Sequence, residues 1–265
     1  MEDKGYTGLA NLGNTCFLNS CMQALSHTHE LTNLLTSSNY KKHLKPSIPE
    51  NIILNEWNNL REIMWSQNGV VAPKRFVHNV QQLAAVKDRD LFTGWAQNDL
   101  PEFLLFIVEC MHNSISRSVT LNIKGKKKNK VDTLAISCYE MLKRIYSTEY
   151  SEIMEMFYGI YVSELSSKNN KTIHSLTPES YFILDLEIPN QNSTLLDCFD
   201  SFTSYEMLEN ENAWFNEKTR KKEDVKKRIT FWSLPKILII TLKRFSFDGK
   251  KKRQDLVQFP IKDLD

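Results

Sequence analysis

The feature that most constrains the fold is a change of hydrophobic period part-way along the chain. In the first half, apolar residues recur at helical spacing, at Leu18, Cys21, Met22 and Leu25, then at Ile53, Trp57, Leu60 and Met64, with Phe76, Val80 and Leu83 opening a third helix. Phe103, Leu104, Ile107, Val108 and Met111 continue the pattern, as do Leu134, Cys138, Met141 or Leu142, and Ile145. An i, i+3, i+4, i+7 stripe belongs to a helix with one buried face. From about Met156 the period changes. Tyr181 to Pro189 ends in strict alternation closed by a proline, and Lys236 to Leu242 is a β-branched run long enough for a buried strand. Helices segregated from strands predict an α+β fold, with a helical lobe over about residues 1–115 and a β-rich lobe over about 150–265.

The rest of the composition narrows the function classes. With 265 residues, 41% of them hydrophobic and 11% aromatic, the chain can bury a full core. A formal net charge of +2 does not point to nucleic acid. Lysines do cluster at 124–130, 218–228 and 250–253, but the first cluster has no interleaved aromatic to stack a base, and Glu223 and Asp224 interrupt the second. The first reads as a solvated basic loop. Five cysteines at irregular spacing, with no CxxC pair, suggest neither a disulfide framework nor a zinc ribbon. They imply a reducing compartment, cytoplasm or nucleus. No secretory-type leader opens the chain and no apolar run reaches membrane-span length, so no membrane association is expected. His27 and His29 fall at the end of the first helix, His43 in a loop and His78 early in the third helix, without acidic or cysteine partners at ligand spacing.

Two stretches carry chemistry. Because the stripe begins at Leu18, Cys16 lies at or just before a helix start, behind a turn led by Gly13 with Asn14 or Thr15 as cap. Free amide N–H groups and the helix dipole there favour a thiolate, and the same groups can hold an oxyanion. Asn11, five residues upstream across the turn, can add a side-chain donor. The competing reading is that Cys16 is a small buried hydrophobe, as most free cysteines are. The second stretch is Phe92 to Leu104, where Asp99 followed by Glu102 ahead of an apolar run reads as a capped helix start.

From Gly8 to Leu25, including Asn19, Ser20 and Gln23, the chain resembles the cysteine box of the ubiquitin-specific proteases, thiol deubiquitinases with a papain-like site. The resemblance implies a papain-like α+β fold: a helical thumb lobe carrying Cys16, a β-rich palm and finger lobe, and the substrate tail between them. It implies Cys16 as nucleophile and Asn11 as oxyanion donor. The Gln97-Asn98-Asp99 string resembles the family's second box, which implies that Gln97 and Asp99 help hold the C-terminal tail of ubiquitin. His112 falls where the family often has a histidine at the helix end, and is read as structural. Tyr181 to Pro189 and Leu234 to Phe245 resemble family strands, and Leu195 to Leu208 the segment leading into the finger. The likeness spans the chain and is weak across 115–175. The implied partners are ubiquitin and ubiquitinated proteins.

Two departures qualify it. Many members bind structural zinc through two CxxC pairs in the finger; here Tyr161 to Thr172 offers Ser, Lys and Asn, and Asn216 and Thr219 stand at the second pair's positions, so no zinc and no other cofactor is expected. The family takes its general base from a Gly-His-Tyr box beyond the Leu242-Lys243-Arg244-Phe245 strand, whereas the last histidine here is His174. Phe259 to Asp265 resembles the link just ahead of that box, so the expectation is a domain lacking the C-terminal part of its palm. Two functional readings follow. One is a deubiquitinase whose base comes from a missing segment in cis or in trans; the other is a non-catalytic ubiquitin-binding or regulatory module.

Overall fold

The computed structural model describes residues 4–169, 171–245, 251–262 and 264. Asn170 of the expected first zinc-pair region, Lys250 of the third basic cluster, and Asp263 and Asp265 of the final stretch lie outside them. The chain divides into two compact units, one formed by Met1–Leu121 with Ile145–Met156, the other by Asn122–Arg144 with Phe157–Asp265.

The first unit is helical. It holds β1 (Gly8–Leu9), α1 (Cys16–Ser26), α2 (His29–Thr36), α3 (Asn51–Ser66), β2 (Val70–Val71), α4 (Lys74–Val86) and α5 (Leu100–Ile115). The predicted stripes are the buried faces: Met22, Ile53, Trp57, Phe76, Phe103 and Ile107 are almost fully enclosed. Helix α3 packs on α4 and α5, and α1 packs on α5. Phe103 sits at the centre of this packing, edge-on to Phe17 at 5.1 Å and to Phe92 at 5.5 Å, the geometry in which a positive ring edge meets a negative face. Helix α2 was not predicted; its two turns bury only Leu31 and Leu35, too short a stripe to stand out. His29 opens it, and His43 lies in a 3-10 turn, Asn39–His43, not in an open loop. The segment 145–156 is tied to the chain just after α5 by a bidentate ion pair between Arg117 and Glu152, at 2.9 and 2.6 Å.

The chain passes between units after Leu121, and again within α6 (Lys130–Glu149) and within α7 (Glu152–Phe157). Cys138 on α6 is fully buried, and Lys124–Asn129 ahead of it is exposed throughout. The second unit is mostly sheet: β3 (Gly159–Ser167), β4 (Ile173–Tyr181), β5 (Ile183–Leu186), β6 (Ser193–Thr194), α8 (Leu195–Thr203), β7 (Glu206–Leu208), β8 (Trp214–Asn216), β9 (Lys221–Glu223), β10 (Val225–Ser233), β11 (Ile239–Leu242) and β12 (Val257–Gln258). The main sheet is antiparallel, in the order β4-β3-β10-β7. Pro178 faces Val162 from the edge strand β4, where a missing N–H leaves no ladder bond unmade. Gly159 faces Tyr181, and a Cβ at Gly159 would lie 2.5 Å from the phenol ring, so this pair requires glycine.

The sequence reading is corrected here in three places. The expected strand from Tyr181 to Pro189 is two elements, because β4 ends at Tyr181, the chain bends at Phe182, and β5 pairs in parallel with β11 in a separate sheet. The expected buried strand from Lys236 to Leu242 shortens to β11 and is only half-buried, since among the described residues it has β5 as its one partner. Helix α8 was not predicted. A reciprocal capping box starts it: Thr194 N–H donates to Asp197 Oδ2 at 2.7 Å, and Asp197 N–H donates to Thr194 Oγ1 at 3.2 Å. Its Phe199 and Phe202 pack on Phe231 of β10, and Leu184, Leu186, Leu195 and Cys198 form the adjoining core.

Candidate functional site

The residues singled out around Cys16 all belong to the first unit. Strand β1 runs parallel to β2, with Gly8 N–H donating to Gly69 C=O at 2.8 Å and Ala10 N–H to Val71 C=O at 2.9 Å. After Ala10 the chain must reverse within a few residues to enter α1. Gly13 at φ 112° and Asn14 at φ 53° make that reversal; only glycine is at ease at the first value, and asparagine tolerates the second.

Asn11 holds the turn. Its Oδ1 accepts from Gly13 N–H at 3.0 Å, Thr15 N–H at 3.1 Å and the Thr15 hydroxyl at 3.1 Å. With its oxygen fixed by three donors, the amide cannot rotate, and its Nδ2 bonds to no described residue. Helix α1 begins at Cys16, and its thiol is exposed. Thr15 takes the N-cap position, but its side chain does not cap. The hydroxyl instead accepts from Leu12 N–H at 3.0 Å, and Asn14 makes no cap either, which corrects the expected capping by Asn14 or Thr15. The first-turn amides are therefore left uncapped beside the exposed sulfur, in the positive field of the helix terminus.

The second stretch joins this loop through Asn14. Asn14 Nδ2 donates to Trp95 C=O at 3.0 Å, and Gln97 Nε2 donates to Asn14 Oδ1 at 3.3 Å. Gln97 is thus bonded to the turn that precedes Cys16, through the side chain of Asn14. Asp99 does not bond to that loop. It is the N-cap of α5, accepting from Glu102 N–H at 3.1 Å with Pro101 in the first turn, and it is exposed. The sequence reading missed Asn14 as the bridge and Thr15 as the hub. The signal for Asn14 was its place after glycine in a turn, where asparagine is favoured at positive φ.

Other thiols and histidines stand apart. Cys21, one turn along α1, is buried, and burial pushes its thiol up to about 12; Cys110 is raised to about 12 for the same reason. Cys138 and Cys198 are also buried. Among the described residues no histidine hydrogen-bonds to Cys16. His112 is enclosed, its Nδ1 at 2.7 Å from Ser151 Oγ, and burial lowers its pKa. His27 lies against Trp65 and His174 against Trp214.

In the finger-like hairpin β8–β9 of the second unit, the positions matched to a zinc-binding pair are engaged otherwise. Asn216 Nδ2 and the Thr219 hydroxyl both donate to Glu223 Oε1, at 3.1 and 2.6 Å, and these bonds hold the Glu223 carboxyl below its ordinary pKa. Among the described residues there is no group of three or more His, Cys, Asp or Glu arranged to hold a metal ion, and no helix long and apolar enough to cross a membrane.

Comparison with known proteins bears on this geometry. Ubiquitin carboxyl-terminal hydrolase 4 of Saccharomyces cerevisiae is 28% identical over 268 residues, covering 96% of this chain and 29% of that protein. Ubiquitin carboxyl-terminal hydrolase 2 of Homo sapiens is 32% identical over 272 residues, covering 99% of this chain and 44% of that protein. A chain of the solved SAGA Ubp8/Sgf11/Sus1/Sgf73 DUB module bound to ubiquitin aldehyde superposes with a TM-score of 0.69 at 21% identity, over 97% of this chain and 52% of that one. That likeness shows the fold, the papain-like α+β architecture of the ubiquitin-specific proteases. The chain spans 29% and 44% of the length of those two hydrolases and about half of the solved chain. The family model for ubiquitin carboxyl-terminal hydrolases matches residues 7–265, and the chain belongs to that family, the ubiquitin-specific proteases.

Proposed function

We propose that this chain carries the nucleophile half of a thiol deubiquitinase, which cleaves ubiquitin from protein conjugates. Cys16 attacks the carbonyl carbon after the C-terminal glycine of ubiquitin, and the carbonyl electron pair moves to oxygen. Asn11 Nδ2 and the uncapped first-turn amides of α1 donate to that oxygen. Collapse expels the amine of the conjugated protein and leaves a thioester for water to hydrolyse. Gln97 and Asp99 hold the tail of ubiquitin. The observation that carries the reading is the pairing of an exposed helix-start cysteine with an asparagine whose oxygen is held by three donors, its N–H groups bonded to none of the described residues.

The test is labelling with a ubiquitin-derived vinyl electrophile. Wild type and Cys21→Ala should be modified, and Cys16→Ala should not. Equal labelling of Cys16→Ala would remove Cys16 from the mechanism.

One observation favours a second reading. A cysteine protease needs a base to take the thiol proton and return it to the leaving amine, and none of the six histidines hydrogen-bonds to Cys16 among the described residues. A ubiquitin-binding module without turnover would have this property. The two readings separate in a fluorogenic ubiquitin assay. For a deubiquitinase, a segment bearing the family's Gly-His-Tyr box, fused after Asp265 or added in trans, should raise turnover by at least about 10²-fold. For a binding module it should raise nothing. Free thiols throughout support placing the protein in the cytoplasm or nucleus.

A further inference from the structure

Helix α1 does more than present Cys16. Asn19 and Gln23, four residues apart, lie on one face of it. Asn19 Nδ2 donates to two backbone carbonyls, Leu9 C=O at 3.2 Å and Ala10 C=O at 3.1 Å, and Gln23 Nε2 donates to Thr7 C=O at 2.8 Å. The spacings agree. Four residues of helix rise about 6 Å, and two residues of strand span about 6.6 Å, so amides at i and i+4 on α1 meet alternate carbonyls of an antiparallel extended segment. The other edge of that segment is held by the bonds of Gly8 to Gly69, just ahead of β2, and of Ala10 to Val71 within it. The chain is thus clamped on both sides up to Ala10, and the next residue is Asn11.

Asn19 shows what the clamp is for. Its Oδ1 is buried with no hydrogen-bond partner among the described residues. A buried acceptor left unsatisfied is a cost, tolerated here while both N–H groups are spent on carbonyls next to Asn11. We infer that Asn19, with Gln23 behind it, is a positioning residue that sets the height of the Asn11 amide over the Cys16 sulfur, because α1 carries both the clamp and the nucleophile. The inference rests on the reading of Cys16 and Asn11 given above. Neither clamp residue touches substrate; each acts through the 7–11 backbone.

Ubiquitin aldehyde is the probe. Cys16 Sγ adds to the aldehyde carbon, the C=O π pair goes to oxygen, and the thiol proton ends on that oxygen. The hemithioacetal balances with no leaving group and places an oxygen where the oxyanion would form. The readout is the ratio of the ubiquitin Kd to the ubiquitin aldehyde Kd for the 265-residue chain. Asn11→Ala should lower the ratio by about 10²-fold, as loss of an oxyanion donor does. Asn19→Leu, which removes the donors and keeps the shape, should lower it by about 10-fold, and should cause no further loss in the Asn11→Ala background. A residue that only stabilised the fold would shift the melting temperature and leave the ratio alone. Should Asn19→Leu not fold, Gln23→Met, which loses only the bond to Thr7, should lower the ratio by about threefold, again not on top of Asn11→Ala. An unmoved ratio in both clamp variants, or losses that add to those of Asn11→Ala, would overturn the clamp while leaving Asn11 in place. An unmoved ratio in Asn11→Ala would overturn the oxyanion reading, and the clamp with it.

Discussion

Thr15→Val tests how the cysteine loop is held. Threonine and valine have nearly the same shape, and Thr15 is 4% exposed, so the substitution leaves no cavity and isolates the hydroxyl. That hydroxyl makes two bonds, accepting from Leu12 N–H at 3.0 Å and donating to Asn11 Oδ1 at 3.1 Å. Each is worth about 1 kcal/mol net, and the half-buried Leu12 N–H, left without a partner, adds part of a desolvation penalty of about 1–3 kcal/mol. Asn11 Oδ1 keeps its two backbone donors and is not orphaned. The sum is about 2–3 kcal/mol, which for a chain of this size lowers Tm by roughly 5–10 °C. Thr15→Ser keeps both bonds and loses one buried methyl, costing about 1 kcal/mol. Thermal melts followed by circular dichroism should therefore rank the proteins wild type, Ser, Val. Labelling by a ubiquitin electrophile should fall in the same order, because the Asn11 amide is less firmly held. A valine variant as stable as the serine variant would show that the hydroxyl does not hold the loop.

Asp99→Ala should lose about 1 kcal/mol of stability as a helix cap and also bind ubiquitin more weakly. Asp99→Asn keeps the capping oxygen and loses the charge, so normal ubiquitin affinity in that variant, measured by calorimetry, would reduce Asp99 to a cap. His112 is buried with its pKa lowered, so the unfolded chain binds its proton more readily than the folded one. Its contribution is fully present above about pH 6.5, the unfolded value, and is lost as the pH falls toward the folded value. Urea titrations of wild type should show stability dropping through that window, and His112→Asn should flatten the drop; identical pH profiles would refute the assignment. Glu223→Gln should loosen the β8–β9 turn by weakening its bonds from Asn216 and Thr219. Faster amide exchange confined to 214–223 is expected, and exchange unchanged there would count against the turn's dependence on that carboxylate.

Long helical stripes were legible because burial imposes them: Ile53, Trp57, Leu60 and Met64 had to share one face. The strands were less legible. An apolar run from Tyr181 to Leu184 passes into alternation up to Ile188 without showing that the chain changes sheets at Phe182, because hydrophobic pattern constrains faces and not partners. Helix α8 was missed although its signal was present: Thr194 and Asp197 are spaced as a capping box, and Leu195, Cys198, Phe199 and Phe202 follow at i, i+3, i+4 and i+7. At the site, Cys16 and Asn11 were named from a local pattern that structure extends. Thr15 was named only as a helix cap, and its hydroxyl turns back to Leu12 and Asn11 instead of forward to the helix, a choice between two short-range bonds that residue type leaves open. The link from Gln97 to Asn14 joins residues far apart in the chain, and no periodicity encodes it.

The distribution of the thiols makes the folded chain a gauge of its own integrity. Cys16 is exposed, and Cys21, Cys110, Cys138 and Cys198 are sealed in the two units. A maleimide dye should therefore couple at one position in the native state and at all five in denaturant. The four silent thiols report on different places: Cys21 and Cys110 on the helical packing around α1 and α5, Cys138 on α6, and Cys198 on the core beneath α8. Mass-resolved labelling over time would then give each region's opening rate from unmodified protein, and would show whether the helical and sheet units come apart together or one before the other.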